Sequence, residues 1–300
     1  PYQAGHRPAA GSDVAWGESN GVVFCNSVLG ARTNRYGDFL DIACAVSGRA
    51  PDYGLHRPAN RLATLLIDVT GLSQELRRSD VFYPVLGTIL GRRAGSAVAV
   101  IDGLQGCTNE DRLKALGAAA ASAGGVGLFH VAGVTPEAPD LAGALGHVPP
   151  RERIALTAQD VAAALASLST AGGSERIDAV AIGSPHLSLA EIDALERLIA
   201  GRRLAIPLYA NTGRHVLAPL ERAGRRKALE TAGVVFVADT CVVVTPILPQ
   251  IAGAVLMTNS GKFAHYAPGN TGYAVTYGSL RECVESAVAG RLVREPRQWS

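Results

Sequence analysis

The sequence lacks several features that would indicate particular classes of protein. It has no apolar run near the roughly 20 residues that span a bilayer and no charged-then-apolar signal segment, so we expect a cytoplasmic protein without a membrane partner. Its 28 Lys and Arg residues nearly balance its 26 Asp and Glu residues, which argues against a nucleic-acid partner. No GxGxxG or GxxxxGK[ST] fingerprint follows a predicted strand, which argues against a nucleotide site. The expected ligand is therefore a small molecule.

Cysteine is sparse, and its spacing predicts no disulfide framework. Five cysteines, an odd number, are spread over 300 residues, and none forms a CxxC pair. Each is either a buried small hydrophobic residue or a metal or redox ligand, and spacing alone leaves both open. The chain also begins at Pro1 without a methionine, which suggests a processed, truncated or partly built polypeptide.

The pattern of apolar residues predicts an α/β fold. A hydrophobic content of 48% over 300 residues is enough for a sizeable core. Beyond residue 96, short β-rich runs alternate with helix-forming segments, which predicts doubly wound, mostly parallel sheets with helices on both faces. The predicted strands are 97–101, 126–131, 178–182, 204–209, 234–238 and 254–258, and the predicted helices are 110–123, 158–169, 189–200 and 216–231. We expect an N-terminal sub-domain at 1–95 and the remainder at 96–300, with a further join near 139–150.

The first 95 residues contain a polar stretch, Trp16–Arg35, around which we expect the chain to be organised. Its apolar residues Val22–Phe24 could form a buried strand, and polar clusters lie on both sides. Two guanidiniums, a hydroxyl and an amide follow at 32–35, a composition that suits a carboxylate cradle. The alternative is a tight loop whose polar groups satisfy their own backbone. Helices are expected at 39–47, capped by Gly48, and at 83–91, with a strand at 64–69.

Polar residues also follow nearly every predicted strand from 97 onward. In an open parallel sheet ligands bind beyond the carboxyl ends of the strands, so these loops predict one site at one edge. For three of these residues, a site role competes with a structural one: Cys241 is a ligand or a packed thiol, His186 an acid, a ligand or a structural histidine, and Lys262 a carboxylate anchor, a base or a solvated lysine. The loops hold Asp102; 130–137; 183–186; 211–212; 239–241; and 259–262.

Seven segments resemble the large, catalytic part of the aconitase X family, with compatible spacing over almost the whole chain. They are GESNGVVFCNSVLGARTNRYG (17–37), SGRAPDYGLH (47–56), FHVAGVTPEA (129–138), IGSPHLSLAEI (182–192), ADTCVVV (238–244), MTNSGKFAHYAPG (257–269) and GSLRECVESAVAGR (278–291). The resemblance implies an iron–sulfur hydro-lyase that dehydrates a 3-hydroxy acid. Bacterial members are similar to cis-3-hydroxy-L-proline dehydratases, and archaeal members are phosphomevalonate dehydratases. Ser184 and the amino-acid sequence of segment 257–269 favour the bacterial type.

The resemblance also implies roles for individual residues. Cys241 becomes the first candidate ligand of an iron–sulfur cluster and Cys44 the next, ahead of Cys25, with 2Fe–2S and 4Fe–4S both open. Cys107 and Cys283 lie in segments of structural character. The candidate catalytic residues are Ser260, Lys262 and His186, and the candidate substrate-binding residues are Ser19, Asn20, Asn26, Ser27, Arg32, Thr33, Asn34, Arg35 and Asn259.

Two features of the family are not matched in the sequence. The family has a further segment with a cysteine just before the position of Pro1-Tyr2, and a small swivelling subunit or domain that supplies a serine base on a Gly-Arg-Gly-Ser run. We therefore expect this chain to form half of an active site, completed by that small subunit or domain. The remaining alternative is a non-catalytic α/β protein that binds a small molecule.

Overall fold

The computed structural model describes residues 1–37 and 39–295. These residues form two compact units, Pro1–Val161 and a second unit that begins at Ala162. Each unit holds one parallel sheet with helices, which confirms the predicted α/β class. The division lies at residue 161 rather than at the expected position 95, because strands on either side of residue 95 pair in one sheet. No helix in the described part of the chain has the length and apolarity needed to cross a membrane.

The first unit is built on a four-stranded sheet in the order β3-β2-β1-β4, with every pair parallel. The chain starts at the central strand β1, adds β2 and β3 on one side, and then returns to place β4 on the other. The elements of the unit are α1 (Ser19–Phe24), α2 (Leu40–Ser47), β1 (Leu65–Asp68), α3 (Gln74–Arg78), α4 (Phe82–Ala94), β2 (Ala99–Asp102), α5 (Glu110–Ala123), β3 (Phe129–Val131), α6 (Leu141–Ala144), β4 (Glu152–Ala155) and α7 (Ala158–Ala166), the last of which runs into the second unit.

The segment 22–24, for which a strand was one expectation, is instead the end of helix α1. The Glu18 carboxylate caps this helix by accepting from the backbone N–H of Gly21 at 2.7 Å. The Phe24 ring stacks on Tyr2 with centroids 3.7 Å apart, and Val23 packs against Gly117 of α5, where a Cβ would lie 2.9 Å from the valine. The strand prediction was wrong because these contacts with distant residues outweigh the modest β-propensity of valine.

The second unit holds a five-stranded parallel sheet in the order β7-β6-β5-β8-β9. Strands are added outward from β5 to β7, after which the chain returns to β8 and continues in the opposite direction. The position between β5 and β8 is therefore the topological switch point of a doubly wound sheet. The elements are β5 (Ala179–Leu187), α8 (Leu189–Ile199), β6 (Leu208–Thr212), α9 (Arg214–Arg222), α10 (Arg225–Ala232), β7 (Val234–Ala238), β8 (Val255–Thr258), α11 (Gly261–Thr271), β9 (Ala274–Tyr277) and α12 (Leu280–Ala289).

Most predicted elements are present, with differences at their ends. The predicted helix 216–231 is two helices, because Gly224 adopts a left-handed φ of 69° between α9 and α10. Strands β4 and β9 were not predicted; β4 is largely exposed and lacks the apolar run used to find strands. Capping boxes begin α8 at Ser188 and α12 at Ser279, as the spacing of each serine from a glutamate three residues later indicates.

Candidate active-site residues

Asn26 and Ser27 of the first unit are buried and hold backbone segments together. The Asn26 amide accepts from the Thr33 N–H at 2.9 Å and donates to the carbonyls of Thr33 and Gly127 at 2.9 and 2.8 Å. The Ser27 hydroxyl accepts from the N–H of Phe129 at 2.9 Å. These are the bonds expected if the polar side chains of the loop serve to satisfy backbone groups. A role of either residue in substrate binding stays a prediction.

Thr33 and Asn34 are likewise buried and bonded to backbone groups. The Thr33 hydroxyl accepts from the N–H of Trp16 at 3.1 Å. Asn34 donates to the carbonyl of Tyr53 and accepts from the N–H of Leu55, both at 2.7 Å. Asn34 therefore ties the loop at 31–36 to the short turn at 54–56.

Among the predicted cradle residues, Arg32 has a donor that no described group satisfies. Its Nε is buried and has no hydrogen-bond partner among the described residues. Its backbone pairs with the segment around Asp13, since the Val14 N–H donates to the Arg32 carbonyl at 2.9 Å. Arg35 is exposed, and its Nη1 donates to the Gly124 carbonyl at 3.1 Å. A shared role of the two arginines in binding a carboxylate stays a prediction.

Ser19 and Asn20 lie in the first turn of α1. Ser19 is half-buried, and its hydroxyl lies 3.4 Å from the Glu18 carboxylate. Asn20 is buried and donates to the Tyr2 hydroxyl at 2.9 Å, while its side-chain oxygen has no partner in the described structure. That oxygen and the Arg32 Nε are the two buried polar atoms of the predicted cradle that remain without partners among the described groups.

Arg61, which sequence reasoning did not single out, is the central polar residue of the first unit. Its side chain is 3% exposed and forms an ion pair with Glu137 at 2.6 Å. It also donates to the Asn26 side chain at 3.0 Å and to the carbonyls of Ala31 and Leu55 at 3.2 and 2.8 Å. Arg61 therefore holds the segments of the predicted cradle together through these bonds. Sequence reasoning missed it because nothing in the local sequence marks an arginine in a loop as buried.

His130 lies within strand β3 rather than in the loop after it. Its Nε2 bonds to the Arg61 carbonyl at 2.7 Å, and its buried Nδ1 has no partner in the described part of the chain. Burial lowers the pKa of His130, so the ring is neutral at pH 7.

Three further side chains of the first unit, Tyr36, His56 and Asp13, form a hydrogen-bonded series, which we call the Tyr36 triad. The Tyr36 hydroxyl bonds to His56 Nε2, and His56 Nδ1 lies 2.8 Å from Asp13 Oδ1. Burial, the Cys44 thiol and the Asp13 carboxylate together raise the pKa of Tyr36 to about 12. Cys44, the second candidate metal ligand, is a buried residue of α2 and lies near the triad.

In the second unit, the switch point between β5 and β8 carries several of the predicted residues. The register of β5 against β6 shifts between Ile182 and Leu187, so 183–186 bulge out at the sheet edge. Gly183 has a φ of 90°, and a Cβ there would lie 2.2 Å from the carbonyl of Asn211. The Ser260 hydroxyl donates to the Ser184 carbonyl and accepts from the N–H of Phe263 at 3.1 Å.

Ser260 therefore caps helix α11 and joins the two central strands. Both its hydrogen and an oxygen lone pair are used in these bonds, and its assignment as a catalytic residue stays a prediction. The predicted residues on either side of it, Asn259 and Lys262, are half-buried, with Lys262 in the first turn of α11.

His186 and Cys241 are brought together at this same edge. His186 Nε2 bonds to the carbonyl of Thr240 at 3.0 Å, directly before Cys241. The Asp239 carboxylate accepts from the backbone N–H of Arg214 at 3.0 Å. Its hydrogen bonds with Arg214 lower the pKa of the Asp239 carboxyl group. Cys241 itself is half-exposed, in a turn that follows β7.

The five cysteines differ in exposure, and none forms a disulfide. Cys241 is partly exposed, whereas the other four are buried, and burial raises the pKa of Cys25 to about 12 and that of Cys283 further. Cys44 lies in the first unit and Cys241 in the second. Within residues 1–37 and 39–295, no three His, Cys, Asp or Glu side chains come together as a metal site.

The predicted strand-end loops belong to two sheets. Asp102 and 130–137 lie in the first unit, while the other loops gather around the second sheet. The expectation of one shared edge was wrong because the predicted strands divide between two sheets, a pairing that local sequence does not specify.

Models of three domains of one family match successive parts of the chain. Residues 1–59 match the aconitase X first domain, residues 63–166 the second domain, and residues 177–289 the third domain. The first two matches fall in the first structural unit apart from the last few residues, and the third falls in the second unit.

Individual relatives give the same result. The chain is 45% identical to a cis-3-hydroxy-L-proline dehydratase from Pseudomonas aeruginosa, over 97% of this chain and 50% of that protein. It is 40% identical to a protein of the same name from Hypocrea jecorina, over 97% of this chain and 49% of that protein. It is 41% identical to the large subunit of phosphomevalonate dehydratase from Methanothermobacter thermautotrophicus, over 92% of this chain and 66% of that protein.

The fold agrees with a solved relative. The crystal structure of Thermococcus kodakaraensis aconitase X in its holo form superposes with a TM-score of 0.84 at 32% identity, over 96% of this chain and 71% of that chain. The chain spans about half the length of the two hydroxyproline dehydratases that it matches. Three consecutive domain matches, together with these identities, show that the chain belongs to the aconitase X family.

Proposed function

We propose that this chain is the large, catalytic part of a hydro-lyase that removes water from a 3-hydroxy acid, with cis-3-hydroxy-L-proline as its substrate and the cytoplasm as its location. The observation that carries the proposal is 45% identity, over 97% of this chain, to a protein named for that reaction. The product is a pyrroline carboxylate. That protein is about twice as long as this chain, which matches 50% of it.

Dehydration places a specific demand on the protein. The C–H bond next to the carboxylate and the C–O bond on the neighbouring carbon must break, and the α-proton becomes acidic only when the carboxylate charge is neutralised. A guanidinium can do this through charge-assisted hydrogen bonds. Arg32, whose buried Nε has no partner among the described groups, is the residue of the predicted cradle best suited to bind the carboxylate.

The second unit offers groups for proton transfer. Lys262 follows β8 in the chain, and His186 lies in the last residues of β5, near the switch point where ligands bind in such sheets. Asn259 follows β8 directly, and Ser260 orients the first turn of α11. We propose Lys262 and His186 as acid or base groups and Asn259 as a substrate contact.

We further propose that this chain contributes to an iron–sulfur cluster, with Cys241 as the first candidate ligand and Cys44 as the next. Cys241 is the partly exposed thiol of the chain, so an incoming cluster can reach its sulfur. The described residues hold no group of three His, Cys, Asp or Glu side chains, and we propose that further ligands come from outside them. The small swivelling subunit or domain is the proposed partner, and relatives named as large subunits support the existence of such a partner.

A second substrate is favoured by a separate observation. The chain is 41% identical to a phosphomevalonate dehydratase large subunit, of which it spans 66%. Phosphomevalonate shares the carboxylate and the 3-hydroxyl group with hydroxyproline, but it adds a phosphate that needs further cationic or N–H donors.

The test is to co-express this chain with the small subunit, purify the complex without oxygen, and measure iron, visible absorption and dehydration of both substrates. Turnover of cis-3-hydroxy-L-proline with bound iron is the expected result. Turnover of phosphomevalonate alone would transfer the assignment to that substrate. A colourless, iron-free and inactive complex would refute the proposal and favour a binding protein. Cys241→Ser should abolish the iron signal, with Cys107→Ser, a buried thiol that we assign no role, as the control.

A further inference from the structure

Asn211 and Thr212, two polar residues at the end of β6, are fully buried in the second unit. Both are 0% exposed. They belong to the polar groups that follow the predicted strands, but neither has a part in the proposed dehydration. Burying an amide or a hydroxyl costs free energy unless its polar atoms find partners, so the groups that these side chains bind indicate what they do.

Both side chains bind the ends of the bulge at 183–186, which we call the β5 bulge. The Asn211 Nδ2 donates to the Ile182 carbonyl at 2.7 Å. The Thr212 hydroxyl donates to the Leu187 carbonyl, also at 2.7 Å. The register of β5 against β6 shifts between these two carbonyls, so the regular backbone ladder is interrupted there. Each end of the bulge is therefore held on β6 by one side-chain hydrogen bond.

The same two residues also bind the turn at 239–242, which we call the Cys241 turn. The Asn211 Oδ1 accepts from the Val242 N–H at 3.1 Å. The Thr212 carbonyl accepts from the Asp239 N–H at 2.9 Å. The backbone on both sides of the cysteine is thus bonded to the end of β6.

The β5 bulge and the Cys241 turn lie next to each other at this point. His186 of the bulge bonds through its Nε2 to the Thr240 carbonyl of the turn at 3.0 Å. A Cβ at Gly183 would lie 2.2 Å from the Asn211 carbonyl oxygen, so the bulge also lies directly against β6. The Asn211 amide bridges the two segments, because its nitrogen bonds to one and its oxygen to the other.

The chemistry of the amide suits this bridge. Asparagine carries a donor and an acceptor on one planar group, whereas a carboxylate lacks the donor and an apolar side chain lacks both. Neighbouring positions of β6 contribute apolar side chains to the core, such as Leu208 and Ala210, so packing alone does not require an amide at 211. A buried polar network whose members are satisfied rigidifies the segments it joins and specifies one arrangement of them.

We propose that Asn211 and Thr212 are positioning residues of the active site, which hold the β5 bulge with His186 and the Cys241 turn in one fixed arrangement. This inference rests on the proposed function, in which His186 is an acid or base group and Cys241 the first candidate ligand. The two residues act through these segments and are assigned no contact with the substrate. A misplacement of about 1 Å in an active site can lower the rate about 100-fold, so the loss of these bonds should affect turnover.

The experiment uses the complex of this chain with the small subunit. Asn211→Leu keeps a similar volume and removes both bonds of the amide, so it should lower kcat by about 100-fold with a much smaller change in KM. Thr212→Val keeps the shape of the side chain without the hydroxyl and should also lower kcat. The matched control Thr88→Val removes a buried hydroxyl that donates to the Pro84 carbonyl at 2.9 Å in α4, and it should leave kcat unchanged.

Two variants at position 212 separate positioning from packing, and they decide the question even where Asn211→Leu does not fold. Thr212→Ser keeps the hydroxyl and loses a methyl group, whereas Thr212→Val does the opposite. If the hydroxyl holds the β5 bulge, the serine variant should retain more of kcat than the valine variant, and a role in packing alone predicts the reverse order. The reverse order, or wild-type kcat in a folded Asn211→Leu complex, would overturn the assignment and leave the proposed dehydration standing.

Hydrogen exchange covers the case in which the wild-type complex dehydrates neither substrate, which would refute the proposed function. In Asn211→Leu, amides of the β5 bulge and the Cys241 turn should exchange about fivefold faster, the factor that corresponds to the net contribution of one hydrogen bond. Thr212→Val should speed exchange in the β5 bulge, and Thr88→Val should change neither segment. Faster exchange at both segments would support the proposed positioning role, and unchanged exchange at either segment in Asn211→Leu would overturn it.

Discussion

Replacing Arg61 with methionine should destabilise the first unit strongly. Methionine has a similar length but no donors, so the change removes the ion pair with Glu137 and leaves the Asn26 side-chain oxygen and the carbonyls of Ala31 and Leu55 without the donors they have now. Removing one partner of a buried ion pair costs about 3 to 5 kcal/mol. Because the Glu137 side chain keeps 28% of its exposure, we expect the lower end of this range, about 3 kcal/mol.

Urea unfolding followed by tryptophan fluorescence measures this change in the first unit alone. The sequence has two tryptophans, so a Trp299→Phe background leaves Trp16 as the single reporter, and the backbone N–H of Trp16 donates to the Thr33 hydroxyl beside the cradle. With a slope of about 2 kcal/mol per M, a loss of about 3 kcal/mol lowers the urea midpoint by about 1.5 M.

Two further variants test the physical reason for this loss. Arg57→Met removes an exposed ion pair with Asp52 from the same region, and such a pair contributes about 0 to 1 kcal/mol. The double variant Arg61→Met/Glu137→Gln should recover part of the loss, because the carboxylate charge that remained unpaired is gone. A midpoint shift below about 0.5 M for Arg61→Met would refute the view that Arg61 holds the cradle together.

Other perturbations follow from the same structure. In the native protein, Cys241 should react with a thiol reagent well before the four buried cysteines, and Cys241→Ser should remove that fast phase. The hydrogen bond from Thr70 holds the pKa of Asp68 below its usual value, so its contribution to stability is present above the unfolded pKa of about 3.9 and is lost as pH falls through the folded pKa. Acid unfolding should therefore show a shallower pH dependence in Asp68→Asn. Gly183→Ala should destabilise the second unit, since the new methyl group would meet the Asn211 carbonyl at a left-handed φ, and an unchanged midpoint of urea unfolding there would contradict the close approach of β5 and β6.

The sequence by itself determined the class of the fold and the position of most of its elements. The alternation of short apolar runs with helix-forming segments is a local property, and it correctly indicated β1, β2, β5, β7 and β8 and the helices between many of them. The capping boxes at Ser188 and Ser279 are also local, because the serine and the glutamate of each box are three residues apart. The resemblance to the aconitase X family rests on motifs that can be read directly from the chain, and the comparisons confirmed it.

Only the tertiary structure decided how these elements share sheets and which polar groups meet. The residues 22–24 form a helix because of contacts with Tyr2 and Gly117, far away in the chain. The strand-end loops fall at two edges because strand pairing is set by packing over long sequence separations. The pairing of Arg61 with Glu137 and the alignment of the Tyr36 triad join residues 20 to 76 positions apart. Local propensity carries no information about such contacts, since they depend on which buried surfaces and charges find partners when the chain folds.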